Sequence, residues 1–219
     1  DYGVIGSSAG DHFLEGIHYL VREVADRVEI DRTRVTSWGT VRRIILKVFD
    51  ALSYAHARGL IHRDLKPANL LLSSSADVRV RVKLADFGIA YLATTVPESE
   101  GKAVGTFAYT PPEQLHGEWR RFGPATDLYA LGCLVWQLVT GAPPFGNKGV
   151  AELAVRHLAS EVPPLEPILE IPDELEGWLR RLLEKQPGDR FQRAADAALA
   201  LERFARVFSS PPDGPDSDI

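Results

Sequence analysis

A thirteen-residue segment of the chain, "LIHRDLKPANLLL" (60–72), encloses five polar side chains among aliphatic ones: His62, Arg63, Asp64, Lys66 and Asn69. Burying such groups without partners costs free energy, so apolar surroundings hold them only where structure or function uses them. A further carboxylate, Asp86, follows in "LADFG" (84–88). Two carboxylates and an amide oxygen are the hard ligands that divalent cations prefer. Two of these three groups could hold the cation, and the third would remain free to orient an attacking hydroxyl.

The elements on either side of this segment predict where its side chains lie. Apolar residues recur at three-to-four spacing through 37–58, which predicts an amphipathic helix with Gly59 as its C-terminal cap. Strict alternation in "VRVRVKL" (78–84) predicts a strand, which pairs most simply with 70–72 as a two-stranded hairpin. The three oxygen-bearing side chains are then expected on loops at one end of this hairpin.

The rest of the chain is mostly helical in its patterning. Residues 127–140 are apolar on almost every helix face, which predicts a central buried helix ended by Gly141. Three further helices are predicted at 150–159, 175–184 and 192–208, and two short strands at 2–5 and 17–24. The tail "SSPPDGPDSDI" (209–219) is rich in Pro, Ser and Asp and is expected to be a disordered linker.

Composition excludes several classes of protein. The 219 residues are 45% hydrophobic, enough for one sizeable domain or at most two small ones. A net charge of −5 disfavours a nucleic-acid or membrane coat, and a single cysteine, Cys133, excludes a disulfide framework. No run reaches the ~18 apolar residues of a membrane span. The chain begins at Asp1 without any methionine, so we expect a piece of a longer protein.

Five segments in order carry a resemblance to a known family: "HRDLKPAN" (62–69), "DFG" (86–88), "PPEQL" (111–115), "DLYALGCLVWQLVTGAPPF" (127–145) and "RRLLEKQPGDR" (180–190). Together they resemble the C-terminal lobe of a eukaryotic-type Ser/Thr protein kinase, and bacterial members in particular. Pro111 departs from the Ala that the family usually has. The resemblance implies an α+β fold, mainly α-helical, with a small two-stranded hairpin and a remnant of the N-lobe sheet. It divides the chain into an N-lobe and hinge remnant (1–24), a C-lobe (25–208) and a linker (209–219).

The resemblance also implies catalytic roles. Asp64 would align the substrate hydroxyl and accept its proton, and Lys66 would contact the γ-phosphate. Asn69 and Asp86 would bind the Mg²⁺ that bridges the phosphates of ATP. Thr106, in "GTFAY" (105–109), would join Lys66 and Asp64 through its hydroxyl.

A nucleotide pocket is implied by four other positions. Glu23 and Ala25 would offer backbone groups to adenine, and Leu71 would form the pocket floor. Arg22 falls where the family prefers an apolar or hydroxyl side chain at the back of the pocket.

Further matches to the family are architectural. Glu113 and Arg190 would form a buried ion pair, and Asp127 would accept hydrogen bonds from the catalytic-loop backbone. His62 and Phe87 would stack in a hydrophobic column. Arg63 is expected to pair with a phosphorylated residue, for which the candidates are Thr94, Thr95 and Ser99. Cys133 and three tryptophans are expected to pack in the interior: Trp119, Trp136 and Trp178. No role is assigned to His116 and His157.

Three functional hypotheses remain open. The first is a Ser/Thr protein kinase that uses ATP and Mg²⁺ on a protein substrate when an N-lobe completes it; the 219 residues alone are expected to be inactive. The sequence lacks the three elements with which the family's N-lobe binds phosphate: the Gly-rich loop, the strand Lys that contacts the α- and β-phosphates, and the helix Glu that pairs with this Lys; no lysine precedes Lys47. The alternatives are a catalytically inactive kinase-like binding module, or pseudokinase remnant, and a small-molecule phosphotransferase. We expect no nucleic-acid partner, no membrane contact within this chain, and a cytoplasmic location, including as the cytoplasmic part of a membrane-anchored protein.

Overall fold

A computed structural model describes residues 2–4, 18–20, 28–29, 36–73, 81–86, 105–146 and 149–204. Several predictions fall outside these residues and stay predictions. They concern the hinge, the stacking aromatic residue, the phosphorylation candidates and the tail: Arg22, Glu23, Ala25, Phe87, Thr94, Thr95, Ser99 and 209–219.

Helix α1 (Trp38–His56) forms because its apolar residues fall on one face, which is buried along its length. Ser37 caps the N-terminus by accepting a hydrogen bond from the Thr40 amide at 3.3 Å. At the other end Gly59 adopts a left-handed φ of 74°. The Leu60 amide then donates to the Ala55 carbonyl at 3.1 Å and the Gly59 amide to the His56 carbonyl at 2.9 Å. The predicted glycine cap is confirmed.

Two small antiparallel sheets accompany the helices. In the first, β1 (Tyr2–Val4) pairs with β2 (His18–Leu20), close to the two predicted strands. In the second, β4 (Leu70–Ser73) and β5 (Arg81–Leu84) form the predicted hairpin. A short strand that we did not predict, β3 (Val28–Glu29), pairs with β4 and extends the hairpin to three strands. Two residues are too few for a recognisable alternation.

Helix α3 (Pro124–Thr140) runs through the core and leaves only Pro124, Gln137 and Thr140 less than fully buried. It starts three residues before the predicted Asp127, because Pro124 suits the first turn and the Thr126 hydroxyl accepts from the Gly123 amide at 3.0 Å. It ends at Gly141, at a left-handed φ of 88°, as predicted. Cys133 and Trp136 are buried within it, also as predicted.

The remaining helices surround α3. They are α2 (Pro112–Leu115), α4 (Val150–Ala159), α5 (Glu174–Leu182) and α6 (Ala194–Arg203). The bounds of α4 match the prediction, and α5 ends two residues before its predicted end. Helix α6 begins two residues after its predicted start, and its predicted continuation through 205–208 lies outside the described residues. Trp178 is buried and donates through Nε1 to the Ala197 carbonyl at 3.0 Å, which joins α5 to α6. No helix among the described residues is long and apolar enough to cross a bilayer.

One packing prediction is wrong. Trp119 was expected to pack in the interior, but it is 66% exposed in the short 3-10 turn Trp119–Arg121, with the Arg120 guanidinium 4.9 Å from its ring centroid. The sequence between Gly117 and Gly123 contains no apolar partner spacing that would bring the indole inward. A lone tryptophan in a polar segment is therefore a weak indicator of burial.

Candidate active site

The loop between α1 and β4 brings most of the predicted site residues together. Residues Pro67–Asn69 form a 3-10 turn that leads directly into β4. The Ala85 amide, at the end of β5, donates to the Asn69 carbonyl at 2.9 Å. The segment that carries Asp86 is therefore held beside the turn that carries Asn69, as the hairpin predicted.

Asn69 is 5% exposed and its amide nitrogen is directed at Asp64. Its Nδ2 donates to the Asp64 carbonyl at 2.7 Å and to the Asp64 Oδ2 at 2.9 Å. These two hydrogen bonds fix the orientation of the amide, which leaves Oδ1 as the group that Asn69 offers to a cation. The same bonds fix the position of the Asp64 carboxylate.

The oxygen-bearing side chains at this loop fit a magnesium ion that takes most of its ligands from water and phosphate groups. Among the described residues no three His, Cys, Asp or Glu side chains form a metal cluster. An amide oxygen from Asn69 and the exposed carboxylate of Asp86 supply the one or two hard ligands from which Mg²⁺ is held in phosphate-binding sites. Asp86 has a left-handed φ of 58°, a conformation that a non-glycine residue adopts at some energetic cost.

Lys66 joins two side chains that are distant in sequence. Its Nζ lies 3.0 Å from Asp64 Oδ2 and donates to Thr106 Oγ1 at 2.9 Å. The Lys66 and Asp64 side chains are 22% and 17% exposed, so solvent reaches the pair without covering it. The structure thus places Asp64, Lys66 and Thr106 in one cluster.

His62 is fully buried and uses both ring nitrogens. Its Nε2 donates to the Ala85 carbonyl at 2.9 Å, and its Nδ1 accepts from the Asp64 amide at 3.4 Å. A carbonyl only accepts and an amide only donates, so the ring is neutral with the proton on Nε2. Burial lowers the pKa of His62, although Asp127, the Ala85 carbonyl, Asp64 and Asp86 act in the opposite direction. His62 therefore connects the catalytic loop to the Asp86 segment without a charge.

Asp127 holds the catalytic-loop backbone, as predicted. Its Oδ2 accepts from the His62 amide and its Oδ1 from the Arg63 amide, both at 2.8 Å. Arg63, whose side chain is exposed, has a left-handed φ of 63°, which surrounding contacts must hold in place. The same Oδ2 also lies 2.7 Å from His56 Nε2. We did not predict a role for His56; its place four residues after buried Leu52, on the apolar face of α1, was the available signal.

The predicted ion pair between Glu113 and Arg190 is confirmed. Arg190 Nη1 and Nη2 donate to the two Glu113 carboxylate oxygens at 2.8 and 2.9 Å, and both side chains are fully buried. The Gln114 amide next to it donates to the Arg63 carbonyl at 2.9 Å. Helix α2 is thereby tied both to the catalytic loop and to the segment before α6.

A second histidine has partners that the sequence did not reveal. His157 was assigned no role, but it is fully buried and its Nδ1 lies 2.8 Å from the Tyr129 hydroxyl. The Phe145 ring packs edge-on against it, with centroids 4.8 Å apart. Burial, with Lys185 adding to it, lowers the pKa of His157 to about 4. This histidine is a neutral core residue.

The other predicted positions are less informative. Leu71 is half-buried in β4, and its role as a pocket floor stays a prediction, while Glu23 and Ala25 lie outside the described residues. The loop that carries Asp64, Lys66 and Asn69, the short hairpin behind it and the buried Glu113–Arg190 pair together define the C-terminal lobe of a protein kinase.

Comparisons with known proteins agree with this assignment. The family model "Protein kinase domain" matches residues 15–201. The chain is 39% identical over 166 residues to Serine/threonine-protein kinase PknF of Mycobacterium tuberculosis, covering 74% of this chain and 34% of that protein. It is also 39% identical over 189 residues to Serine/threonine-protein kinase Pkn1 of Myxococcus xanthus (84% and 27%), and 34% identical over 206 residues to Serine/threonine-protein kinase PknB of Mycolicibacterium smegmatis (90% and 32%).

The chain therefore belongs to the protein kinase domain family, and its similarity to bacterial Ser/Thr protein kinases is confirmed. It spans about a third of the length of the curated relatives that it matches. The division at residues 24 and 208 stays a prediction.

Proposed function

We propose that the protein carrying this chain transfers the γ-phosphate of ATP to Ser or Thr hydroxyls of a protein substrate. The observation that supports this most directly is the contact of Lys66 with both Asp64 and Thr106. A lysine at this position places positive charge next to the carboxylate that would receive the substrate hydroxyl. Phosphoryl transfer asks the protein mainly for such positioning and charge stabilisation.

Each residue of the cluster has a defined task in this proposal. Asp64, held by the Asn69 amide, accepts a hydrogen bond from the substrate hydroxyl and then its proton. Lys66 stabilises the negative charge that builds up on the transferring phosphoryl group. Thr106 keeps the Lys66 ammonium in place and belongs to the segment that receives the substrate.

The cofactors in the proposal are ATP and Mg²⁺, which protein kinases use generally. Asn69 Oδ1 and the Asp86 carboxylate would hold the ion, which neutralises phosphate charge when bound. Leu71, with the backbone of Glu23 and Ala25, would receive the adenine. The chain contains neither the Gly-rich loop nor the phosphate-binding strand lysine that protein kinases carry in the N-lobe, so we propose that residues outside this chain supply the remaining phosphate contacts.

The second candidate is a binding module without catalysis. It is favoured by the absence from this chain of the Gly-rich loop and of the phosphate-binding lysine. Three intact side chains argue against it, because a chain that had lost catalysis would no longer need Asp64, Asn69 and Asp86 all to be retained. The proposed location is the cytoplasm, where ATP is available.

The test is phosphate transfer from labelled ATP to a mixed protein substrate by the full-length product of the reading frame. We expect Mg²⁺-dependent labelling of Ser and Thr that Asp64→Asn reduces by about 10²- to 10⁴-fold. The matched control is Asp50→Asn on the exposed side of α1, which should leave the rate unchanged. Full activity of Asp64→Asn would contradict the proposal, as would labelling of a small metabolite alone.

A further inference from the structure

Lys185, shortly after the end of α5, has surroundings that the proposed kinase chemistry does not use. Its ammonium nitrogen lies 4.6 Å from the centre of the Phe145 ring. The same Nζ donates to the Arg156 carbonyl, in the last turn of α4, at 3.3 Å. The residue is half-buried, and within the described part of the chain no carboxylate forms an ion pair with it. An aromatic ring and one carbonyl are therefore its partners in place of a negative charge.

The groups that face Lys185 from the neighbouring elements make its positive charge less favourable. Burial is the largest cause that lowers the pKa of Lys185, to about 8, and the Arg190 guanidinium adds to it. Arg190 is fully buried and donates through Nη2 to the Lys185 carbonyl at 3.1 Å. Cys133 and the exposed Glu184 act in the opposite direction, but burial raises the pKa of the Cys133 thiol and so keeps it uncharged. His157 on α4 is neutral as well, since its pKa is lowered to about 4 by burial.

These surroundings make the amine of Lys185 a nucleophile. Only the neutral form of a lysine attacks an electrophile, and desolvation beside another cation is a recognised way to produce it. With a pKa of about 8, roughly a tenth of Lys185 is neutral at pH 7, compared with less than about a thousandth at the ordinary lysine pKa of ~10.4. Loss of the proton also removes the attraction to the Phe145 ring, so the neutral side chain can turn toward solvent.

We propose that Lys185 is an acylation site that accepts an acyl group from an acyl phosphate. The lone pair of Nζ attacks the acyl carbon, and a C–N bond replaces the C–O bond to the phosphate. Inorganic phosphate leaves with the electron pair of the broken bond, and the nitrogen releases a proton to solvent. The amide product carries no charge, so α4 loses a cation beside its C-terminal end. This site goes beyond the proposed kinase function and does not rest on it.

The test is the rate of acetylation at individual lysines of the full-length protein treated with acetyl phosphate, measured by peptide mass spectrometry. The matched reference is Lys47, whose side chain is 58% exposed on α1. At about pH 7.5 we expect Lys185 to react about 10-fold faster than Lys47, because its neutral fraction outweighs its partial burial. The rate at Lys185 should rise with pH and level off above about pH 9, where the amine is already neutral.

Two further measurements test whether the folded surroundings are the cause and what the modification does. In concentrated urea the preference should disappear, and Lys185 and Lys47 should react at similar rates. Lys185→Gln imitates the uncharged product and should accelerate hydrogen exchange at the end of α4 several-fold, where the Ser160 amide donates to the same Arg156 carbonyl. Lys185→Arg keeps the charge and should leave this exchange unchanged.

Three results would overturn the assignment of Lys185 as an acylation site. They are equal rates at Lys185 and Lys47 in the folded protein, a Lys185 rate that keeps rising above pH 10, and a preference that persists in urea. Unchanged exchange in Lys185→Gln would overturn the stated effect on α4. None of these measurements requires phosphate transfer by the protein, so a failure of the proposed kinase function would be recognised separately.

Discussion

Glu113 and Arg190 lie 77 residues apart in sequence and form a two-pronged ion pair with no solvent exposure. Arg190 also donates to the carbonyls of Ala125, Glu184 and Lys185, so its guanidinium is surrounded by acceptors. This pair joins helix α2 to the segment before α6, and it helps to fix the position of Gln114, which donates to the Arg63 carbonyl.

Breaking this pair should destabilise the fold. Glu113→Gln leaves the Arg190 charge buried with only neutral acceptors, and we expect a loss of about 3–5 kcal/mol in the free energy of unfolding. Urea denaturation measures it. The control is Asp196→Asn, which breaks the exposed Arg193–Asp196 pair and should cost less than about 1 kcal/mol. Equal effects of the two substitutions would show that burial of the Glu113 pair has no energetic consequence.

The hydroxyl of Thr106 should matter for catalysis and its methyl group should not. Thr106→Val keeps the shape but removes the acceptor for Lys66 Nζ, so we expect kcat to fall by about 10- to 100-fold, the equivalent of one hydrogen bond to a charged group. Thr106→Ser restores the hydroxyl and should retain most of the activity. Steady-state kinetics on the full-length protein measure both. A Ser variant as impaired as the Val variant would contradict this role.

Helices α3 and α5 approach closely at Gly132. A Cβ on this residue would lie 2.9 Å from Leu182 Cβ and 3.1 Å from Leu183 Cδ2, and Leu182 Cβ cannot move without its backbone. We expect Gly132→Ala to cost about 1–3 kcal/mol of stability through overpacking. Gly177→Ala on the open face of α5 is the control, since a Cβ there meets nothing within 4 Å. It should stabilise by up to about 1 kcal/mol, and the opposite order of the two would refute the close approach.

The free energy of unfolding should fall as the pH is lowered, because the buried His157 must then take up a proton. Its pKa is about 4 in the folded protein, below the ordinary value of 6.5, so between these values the unfolded chain binds a proton that the folded one does not. The contribution is fully present above pH 6.5 and is lost progressively toward pH 4, by about 3 kcal/mol. Unfolding free energies at several pH values should show a shallower acid slope for His157→Asn than for wild type. His116→Asn, at an exposed position, should not change the slope.

How far the sequence predicts this protein differs between local and long-range features. The long helix predicted over 37–58 and observed over 38–56, its Gly59 cap, the central helix and the hairpin follow from local sequence patterns, and these predictions were confirmed. The strand Val28–Glu29 was not predicted, because two residues carry no periodicity and its partner β4 lies about forty positions away. The predicted bounds of α5 were wrong by one residue at its start and two at its end, and the predicted start of α6 was wrong by two residues, since helix ends depend on neighbours and not on the local pattern alone.

The site residues also differ in how far the sequence predicts them. Residue types and order predicted that Asp64, Asn69 and Asp86 would lie at one end of the hairpin, and the family resemblance added Lys66 to this set. Only the tertiary structure decided that Asp127 would receive His56 as well as the loop amides, that His157 would be buried against Tyr129, and that Trp119 would face solvent. These outcomes depend on which helix faces meet in space, and the free energy that selects them comes from contacts between residues far apart in the chain.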